Sequence, residues 1–336
     1  METQSVISLD AMSGDRGAEV VVRAAMACLE RNANLELILV GDRDEIDSLV
    51  RRIIGKESRL RIKGATEVVG MSESPADAIR KKKDSSMRVA INLVKEGVAE
   101  ACVSAGNTGA LMATAKFVLK MLPGIDRPAI IAELPALGGT VHMLDVGANT
   151  ESDPQQLFQF AVMGSIVTSG MRNIDRPRVA LLNIGVEDTK GHEAVRSAAG
   201  KLSQSGLNYV GFIEGNEIFV GKADVVVTDG FTGNIAVKTM EGTAGLISHY
   251  VKREFKKTVF TKLQALMAGP VLNSLAVEMD SRNHNGGSLV GLDGIVIKSH
   301  GGADSYAFEH AIETALVELR NQVPQQIRNL LEQESS

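Results

Sequence analysis

Short apolar runs alternate with helical stretches along this chain, and most runs end in a small polar turn. Residues 6–9, 35–40, 101–104, 129–132, 141–145, 179–183, 209–212 and 225–228 read as strands. Residues 18–29, 46–54, 153–171, 193–204 and 234–256 read as helices, and 303–332 as a last helical region interrupted at Pro324. Such alternation specifies a largely parallel sheet with helices on both faces, because a parallel connection must cross over the sheet. Unbroken apolar strands such as 225–227 suit a sheet buried on both sides. The expected fold is a Rossmann-like α/β domain spanning residues 1–336.

Composition removes several function classes. The net charge of −5 offers no global basic surface for nucleic acid. Cys28 and Cys102 fall in an apolar helix and a strand and read as buried free thiols. No paired metal-ligand spacing exists, so no metal site is expected. The start, Met1-Glu-Thr-Gln-Ser, lacks a basic-then-apolar leader, and no apolar run reaches about 18 residues. A cytoplasmic protein is expected.

Chemistry concentrates where strands end, because the following helix turns its N–H groups and positive dipole end toward the crevice there. The turn after the first strand carries Asp10, Gly14 and Asp15. Ser104, Gly106, Asn107, Thr108 and Gly109 form a helix-start nest suited to an anion. Asp229, Gly230, Thr232, Gly233 and Asn234 form a second such nest, and Lys238 follows one helical turn on. The two nests are expected to grip one polar ligand from two sides. Asp145 with Asn149, and Asn183 with Gly185 and Lys190, repeat the pattern. Lys298, Ser299 and His300 precede the last helix, and Ser86 marks another helix start. The spacings of the dinucleotide fingerprint, the ATP-binding P-loop and the hydrolase nucleophile elbow are absent.

Residues 252–279 differ from the rest. Phe255, Val259, Leu263, Leu266 and Met267 recur at helical spacing among basic residues, Gly269-Pro270 breaks the run, and Val271, Leu272, Leu275, Ala276 and Met279 continue an apolar face. This is an amphipathic helical hairpin with two readings: packing on the core or on a second subunit, or a surface pair dipping into anionic membrane. Phe260 adds to its apolar residues.

The motifs Asp10-Ala-Met-Ser-Gly-Asp15, Asp84-Ser-Ser-Met87, Ser104-Ala-Gly-Asn-Thr-Gly-Ala-Leu111, Asp145-Val-Gly-Ala-Asn149, Leu182-Asn-Ile-Gly185, Asp229-Gly-Phe-Thr-Gly-Asn234 and Ile297-Lys-Ser-His-Gly301 resemble, in order and spacing, those of the phosphate acyltransferase family known as PlsX. The sequence departs at Ser13, where that family commonly has glycine, and at Thr150. The resemblance implies transfer of a long-chain acyl group from acyl-carrier protein to inorganic phosphate, giving acyl phosphate for a membrane glycerol-phosphate acyltransferase. It also implies a homodimer, a fold like that of phosphotransacetylases and isocitrate dehydrogenases, no cofactor, and peripheral membrane association through the 252–279 hairpin.

On that basis Asn107, Asn234, Asp229, Lys190 and His300 are the expected catalytic residues, and the other strand-end residues bind substrate. Acyl-carrier protein is acidic, so its dock is expected at Arg80–Lys83 with Arg88, or at Lys252, Arg253, Lys256 and Lys257. The alternatives are a coenzyme A-dependent phosphotransacylase and a non-catalytic membrane-attached scaffold that senses acyl phosphate.

Overall fold

The computed structural model describes residues 4–53, 55–278 and 280–334. Residues 1–3 of the chain start, Ile54 of the second expected helix and Met279 of the hairpin lie outside them. In chain order the elements are β1 (Ser5–Asp10), α1 (Ala18–Arg31), β2 (Leu35–Gly41), α2 (Arg43–Ile53), β3 (Leu60–Gly64), α3 (Pro75–Lys81), α4 (Ser86–Lys95), β4 (Ala101–Ser104), α5 (Thr108–Leu119), β5 (Ala129–Ala136), β6 (Gly139–Leu144), α6 (Pro154–Arg172), β7 (Val179–Leu182), α7 (Glu193–Ser203), β8 (Tyr209–Ile213), β9 (Val225–Val227), α8 (Gly230–Lys256), α9 (Val259–Met267), α10 (Gly269–Glu278), β10 (Gly287–Val290), β11 (Ile295–Lys298), α11 (Ser305–Arg320) and α12 (Val323–Glu334).

The strands form one sheet in the order β3-β2-β1-β4-β11-β10-β5-β6-β9-β7-β8. Most pairings are parallel, as the alternation of elements requires, but β11–β10, β10–β5 and β5–β6 are antiparallel. Three reversals in a row make β6, β9, β7 and β8 run opposite to β1, β4 and β11. The joint is β5, whose residues Ala129–Ile131 pair with β10 while Ala132–Ala136 pair with β6. The second half-sheet is therefore displaced along the strand direction. Strand ends that point in opposite directions come to nearly one level: Lys298 pairs with Gly287, and the Asp145 carboxylate takes the amide of Ile130. By register these levels differ by two residues, about 7 Å at about 3.3 Å per residue.

Each half has its own apolar packing on both faces. Phe308 and Ile312 of α11 sit with Ile7, Leu9 and Leu37 in the first half, and Phe160 of α6 sits with Leu144, Leu181 and Val227 in the second. Cys28 and Cys102 are buried free thiols, as their apolar settings required.

Two helix boundaries depart from the sequence reading. Helix α8 begins at Gly230, not near Asn234, because Asp229 caps it by accepting the Thr232 amide at 2.8 Å. The glycine-rich run is thus the first helical turn. At the chain's end the break falls at Gln322, which has left-handed backbone (φ 48°), and Pro324 lies in the first turn of α12. Proline starts that helix because the first turn needs no N–H from it.

The hairpin forms as two helices, α9 and α10, joined at Ala268, and α8 leads into it. The first helix starts later than the apolar pattern suggested, because the Thr258 hydroxyl accepts the Thr261 amide at 3.0 Å and begins a new helix. Val259, Phe260, Leu263, Leu266, Met267 and Leu275 are exposed, while Phe255 and Leu272 are half-buried. On α8, Leu246, Ile247 and Tyr250 are exposed as well. So many exposed apolar side chains on neighbouring helices are unusual for an isolated chain. Among the described residues no helix is long and apolar enough to cross a membrane.

Candidate active site

Strands β1, β4 and β11 are parallel neighbours whose register sets Asp10 beside Ser104 and Ser104 beside Lys298. Three polar side chains thus share one row at the strand ends. The Ser104 hydroxyl donates to Asp10 Oδ2 at 2.6 Å and accepts the Gly106 amide at 3.1 Å. The Ser13 hydroxyl donates to the same carboxylate oxygen. Burial pushes the Asp10 carboxyl up, against the pull of Ser104, Ser13, the approaching Ser86 hydroxyl and the Met12 amide. Asp10 Oδ1 and Ser86 Oγ are buried without a hydrogen bond of normal geometry. Gly14 (φ +94°) closes the turn: a Cβ there meets Ala105 Cβ at 3.0 Å and the Gly301 carbonyl at 3.1 Å.

A cationic cluster stands on this row. Lys298 donates to the Ser299 carbonyl. Burial, aided by the charge of Lys238, brings its ammonium down to about 8, while Asp10 and Asp15 oppose the shift. Lys238 arrives from α8, in the other half of the molecule, and pairs with Glu241 at 3.0 Å. His300 is held low by burial and by Lys238 and Lys298. Its Nδ1 accepts the Gly302 amide at 3.1 Å, so the neutral ring carries its proton on Nε2. The Asp15 amide donates to the Gly301 carbonyl at 2.8 Å, tying the first turn to the last.

The other half contributes the 145–149 loop and the start of α8. Asp145 accepts the amides of Ile130, Gly147, Ala148 and Asn149 together with the Asn149 side chain. Burial still pushes its carboxyl up. Asn149 also donates to the Pro128 carbonyl at 2.8 Å. Both side chains therefore shape the loop. Helix α8 lies directly on it: the Gly230 amide donates to the Asn149 carbonyl at 2.7 Å, and a Cβ at Gly233 falls 1.9 Å from the Asp145 carbonyl oxygen. Asn234 stands beside Gly147, exposed like Thr232. Both Asp229 oxygens are taken by Thr232, through its amide and its hydroxyl.

Other sequence candidates have local partners. Asn107 caps α5 through the Ala110 amide, and its Nδ2 donates to the Met71 and Glu73 carbonyls. Gly109 packs on Pro75, and Thr108 opens α5. The 71–75 segment, with Met71 against Gly301, thus covers this nest; no sequence signal marked it. Asn183 donates to the Lys190 carbonyl, Gly185 packs on Lys190, and Lys190 is exposed. Among the described residues no hydrogen bond or ion pair joins this turn to Lys298. Among the described residues none links the nests at 104–109 and 229–234 either; across the halves, the charge of Lys238 acts on Lys298 and His300. Sequence reasoning overlooked Asn285, which accepts the His300 amide at 2.9 Å and donates to Ser299 Oγ at 2.8 Å. Its setting in the polar, glycine-ended run 283–287 was the available signal. No group of three His, Cys, Asp or Glu residues among the described residues is placed to hold a metal.

Two displaced half-sheets with facing strand ends are the fold of the phosphotransacetylases. EutD phosphotransacetylase from Staphylococcus aureus superposes with a TM-score of 0.62 at 18% identity, over 95% of this chain and 94% of its own. A phosphotransacetylase from Streptococcus pyogenes gives 0.62 at 19% identity, over 96% and 94%. Within that fold the chain belongs to the fatty acid synthesis protein family, whose sequence model matches residues 5–326. A relative from Alkalilimnicola ehrlichii, named phosphate acyltransferase, is 57% identical over 332 residues, 98% of this chain and 97% of its own. One of the same name from Nitrosococcus oceani is 54% identical over 327 residues, 97% and 96%.

Gly233→Ala tests the contact between α8 and the 145–149 loop. The added methyl has no space against the Asp145 carbonyl, so thermal unfolding is expected to show a loss of about 1–3 kcal/mol. A variant as stable as the wild type contradicts this packing.

Proposed function

We propose that this chain transfers a fatty acyl group from the thioester of acyl-carrier protein to inorganic phosphate, releasing acyl phosphate for phospholipid synthesis. The carrying observation is the Asp10–Ser104–Lys298 row at neighbouring strand ends, with Lys238 near enough for its charge to act on Lys298 and His300, in a chain whose relatives bear the name phosphate acyltransferase.

Phosphate needs a site that holds an anion without quenching its nucleophilicity. Lys298 and Lys238 supply charge from both halves, and Ser104 and Ser299 line the same strand ends. A phosphate oxygen attacks the thioester carbonyl, and the Nε2–H of neutral His300 stabilises the oxyanion as the thiolate leaves. Thr232, Gly233 and Asn234, in the first turn of α8, offer further donors. Asp229 and Asn107 act by capping the helices that border the crevice, and Asp145 and Asn149 by holding the loop under α8. Lys190, Asn183 and Gly185 line a neighbouring turn that substrate reaches on binding.

The donor docks on the α3–α5 face. Arg88 and Lys120 stack on the exposed Phe117 ring at 4.9 and 5.0 Å, and Arg80 and Lys83 lie nearby in sequence. Lys81 and Lys82 contribute less, being paired with Asp77 and Glu73. The second candidate dock is also partly neutralised, since Arg253 and Lys257 share Glu254. The apolar faces of α8–α10 are covered by a second copy at the base and by a membrane surface at the tip, where product passes to a glycerol-phosphate acyltransferase. The protein is thus a cytoplasmic homodimer peripherally attached to membrane.

The direct test follows loss of acyl-carrier thioester with and without phosphate. Phosphate-dependent acyl phosphate formation is expected, with coenzyme A thioesters poorer donors; no reaction under either condition refutes the assignment. In kcat/KM for phosphate, activity should fall as pH rises through about 8, where free Lys298 loses its charge. Lys298→Met should remove this step and raise the phosphate KM about tenfold or more, the scale of one charged hydrogen bond. For the membrane reading, Leu263→Asp with Leu266→Asp should abolish sedimentation with anionic vesicles while leaving soluble acyl transfer intact; unchanged sedimentation counts against it.

A further inference from the structure

Next to the Lys298–Gly302 turn lies a polar cavity, of about 150 Å³, whose ionisable lining is Glu133, His142, His284, His310, Glu313 and Glu318. None of these belongs to the acyl-transfer cluster. The lining holds three carboxyl groups and three imidazoles, with no lysine or arginine.

Its polar atoms are incompletely satisfied. Glu133 Oε1 meets His284 Nδ1 at 3.0 Å, but its Oε2 stands 3.8 Å from His142 Nε2, beyond hydrogen-bond reach. His142 is 1% exposed and Glu318 is 2% exposed. His142 Nε2, Glu318 Oε1 and His310 Nε2 are all buried without a hydrogen-bond partner. Buried polar atoms left unpaired are costly and rare, and several around one cavity point to an occupant. Burial forces Glu318 up to about 7 and His142 down to about 4, the response of groups deprived of solvent or counter-ion.

The arrangement selects among occupants. With no lysine or arginine in the lining and three carboxyl groups, the cavity disfavours an anion. A directly coordinated metal needs convergent ligands, and among the described residues no three such side chains converge. Ile131, Met171 and Val317 add apolar surface to the same lining. A ligand that joins N–H donors to methylenes suits a lining of both kinds.

We propose that this cavity binds a small aliphatic amine cation, whose ammonium groups reach Glu133 and Glu318 while its carbon chain lies on Ile131, Met171 and Val317. Asn285 connects the site to the crevice, for it lines the cavity and also holds Ser299 and the His300 amide.

Isothermal titration of the full chain with 1,4-diaminobutane tests this. Saturable binding in roughly the millimolar range is expected, with butane-1,4-diol, the neutral counterpart, giving none. Glu318→Gln and Glu133→Gln, near-isosteric changes, should each weaken binding about tenfold by removing one charged contact. Glu133 is only part-buried, so its variant remains informative where the deeper Glu318 change impairs folding. The proposal is overturned by absent binding, by equal binding of the diol, by folded variants that bind as well as the wild type, or by zinc chloride binding in place of the amine.

Discussion

Strand β5 belongs to two half-sheets, pairing through Ala129–Ile131 with β10 and through Ala132–Ala136 with β6. That division sets everything nearby. The offset brings Asp145 to the level of Ile130, two residues from the level of Lys298. Helix α8, which starts on the Asp145 loop, then needs only about two turns, roughly 12 Å at about 1.5 Å per residue, to carry Lys238 to Lys298 and His300. The glycines at 230 and 233 permit this, since the helix sits too close to the loop for any side chain.

The electrostatics follow from the same geometry. Burial, and then the charge of Lys238, loosens the protons on Lys298 and His300. An incoming dianion reverses that balance, since its charge opposes every effect that depressed Lys298 and His300. Asp10 limits the repulsion in its absence. Ser13 adds a third hydroxyl to the Asp10 environment without entering left-handed backbone, so the extra side chain in this tight turn is accommodated through its hydrogen bond rather than through strain.

Strand ends were legible because an apolar run that finishes in Asp, Ser, Asn or Gly is a chain leaving the core for a polar turn; Asp10 and Ser104 were found that way, whereas Lys298 and His300 were found as a polar turn before the last helix. Their mutual placement was not legible, because it depends on strand order and on the offset at β5. The same gap accounts for Asn107 and Asn234. Both stand in anion-type nests by local pattern, yet their strands, β4 and β9, are five positions apart in the sheet, about 24 Å at about 4.8 Å per strand. The carbonyls of Met71 and Glu73 that engage Asn107 come from a segment with no local signature. β10 and β11, four residues each and set among the glycines at 286–287, 291, 294 and 301–302, were not read as strands.

Helix α8 gives the exposed hairpin a functional geometry. One uninterrupted helix runs from the loop at the crevice, through Lys238, to the base of the apolar tip at Lys256. Eighteen residues separate these two positions, about 27 Å at about 1.5 Å per residue. A rigid rod of that length fixes how far the crevice stands from any surface that the tip enters. On the proposed reading this suits the product. Acyl phosphate joins a reactive mixed anhydride to a long apolar chain, so free passage through water exposes the anhydride to hydrolysis and the chain to solvent. A crevice held one short helix away from a bilayer shortens that passage, and the exposed Leu246, Ile247 and Tyr250 along α8 give the chain an apolar flank beside it. The exposed surface that looks like a defect in the isolated chain is, in this arrangement, continuous with the path that the product must take.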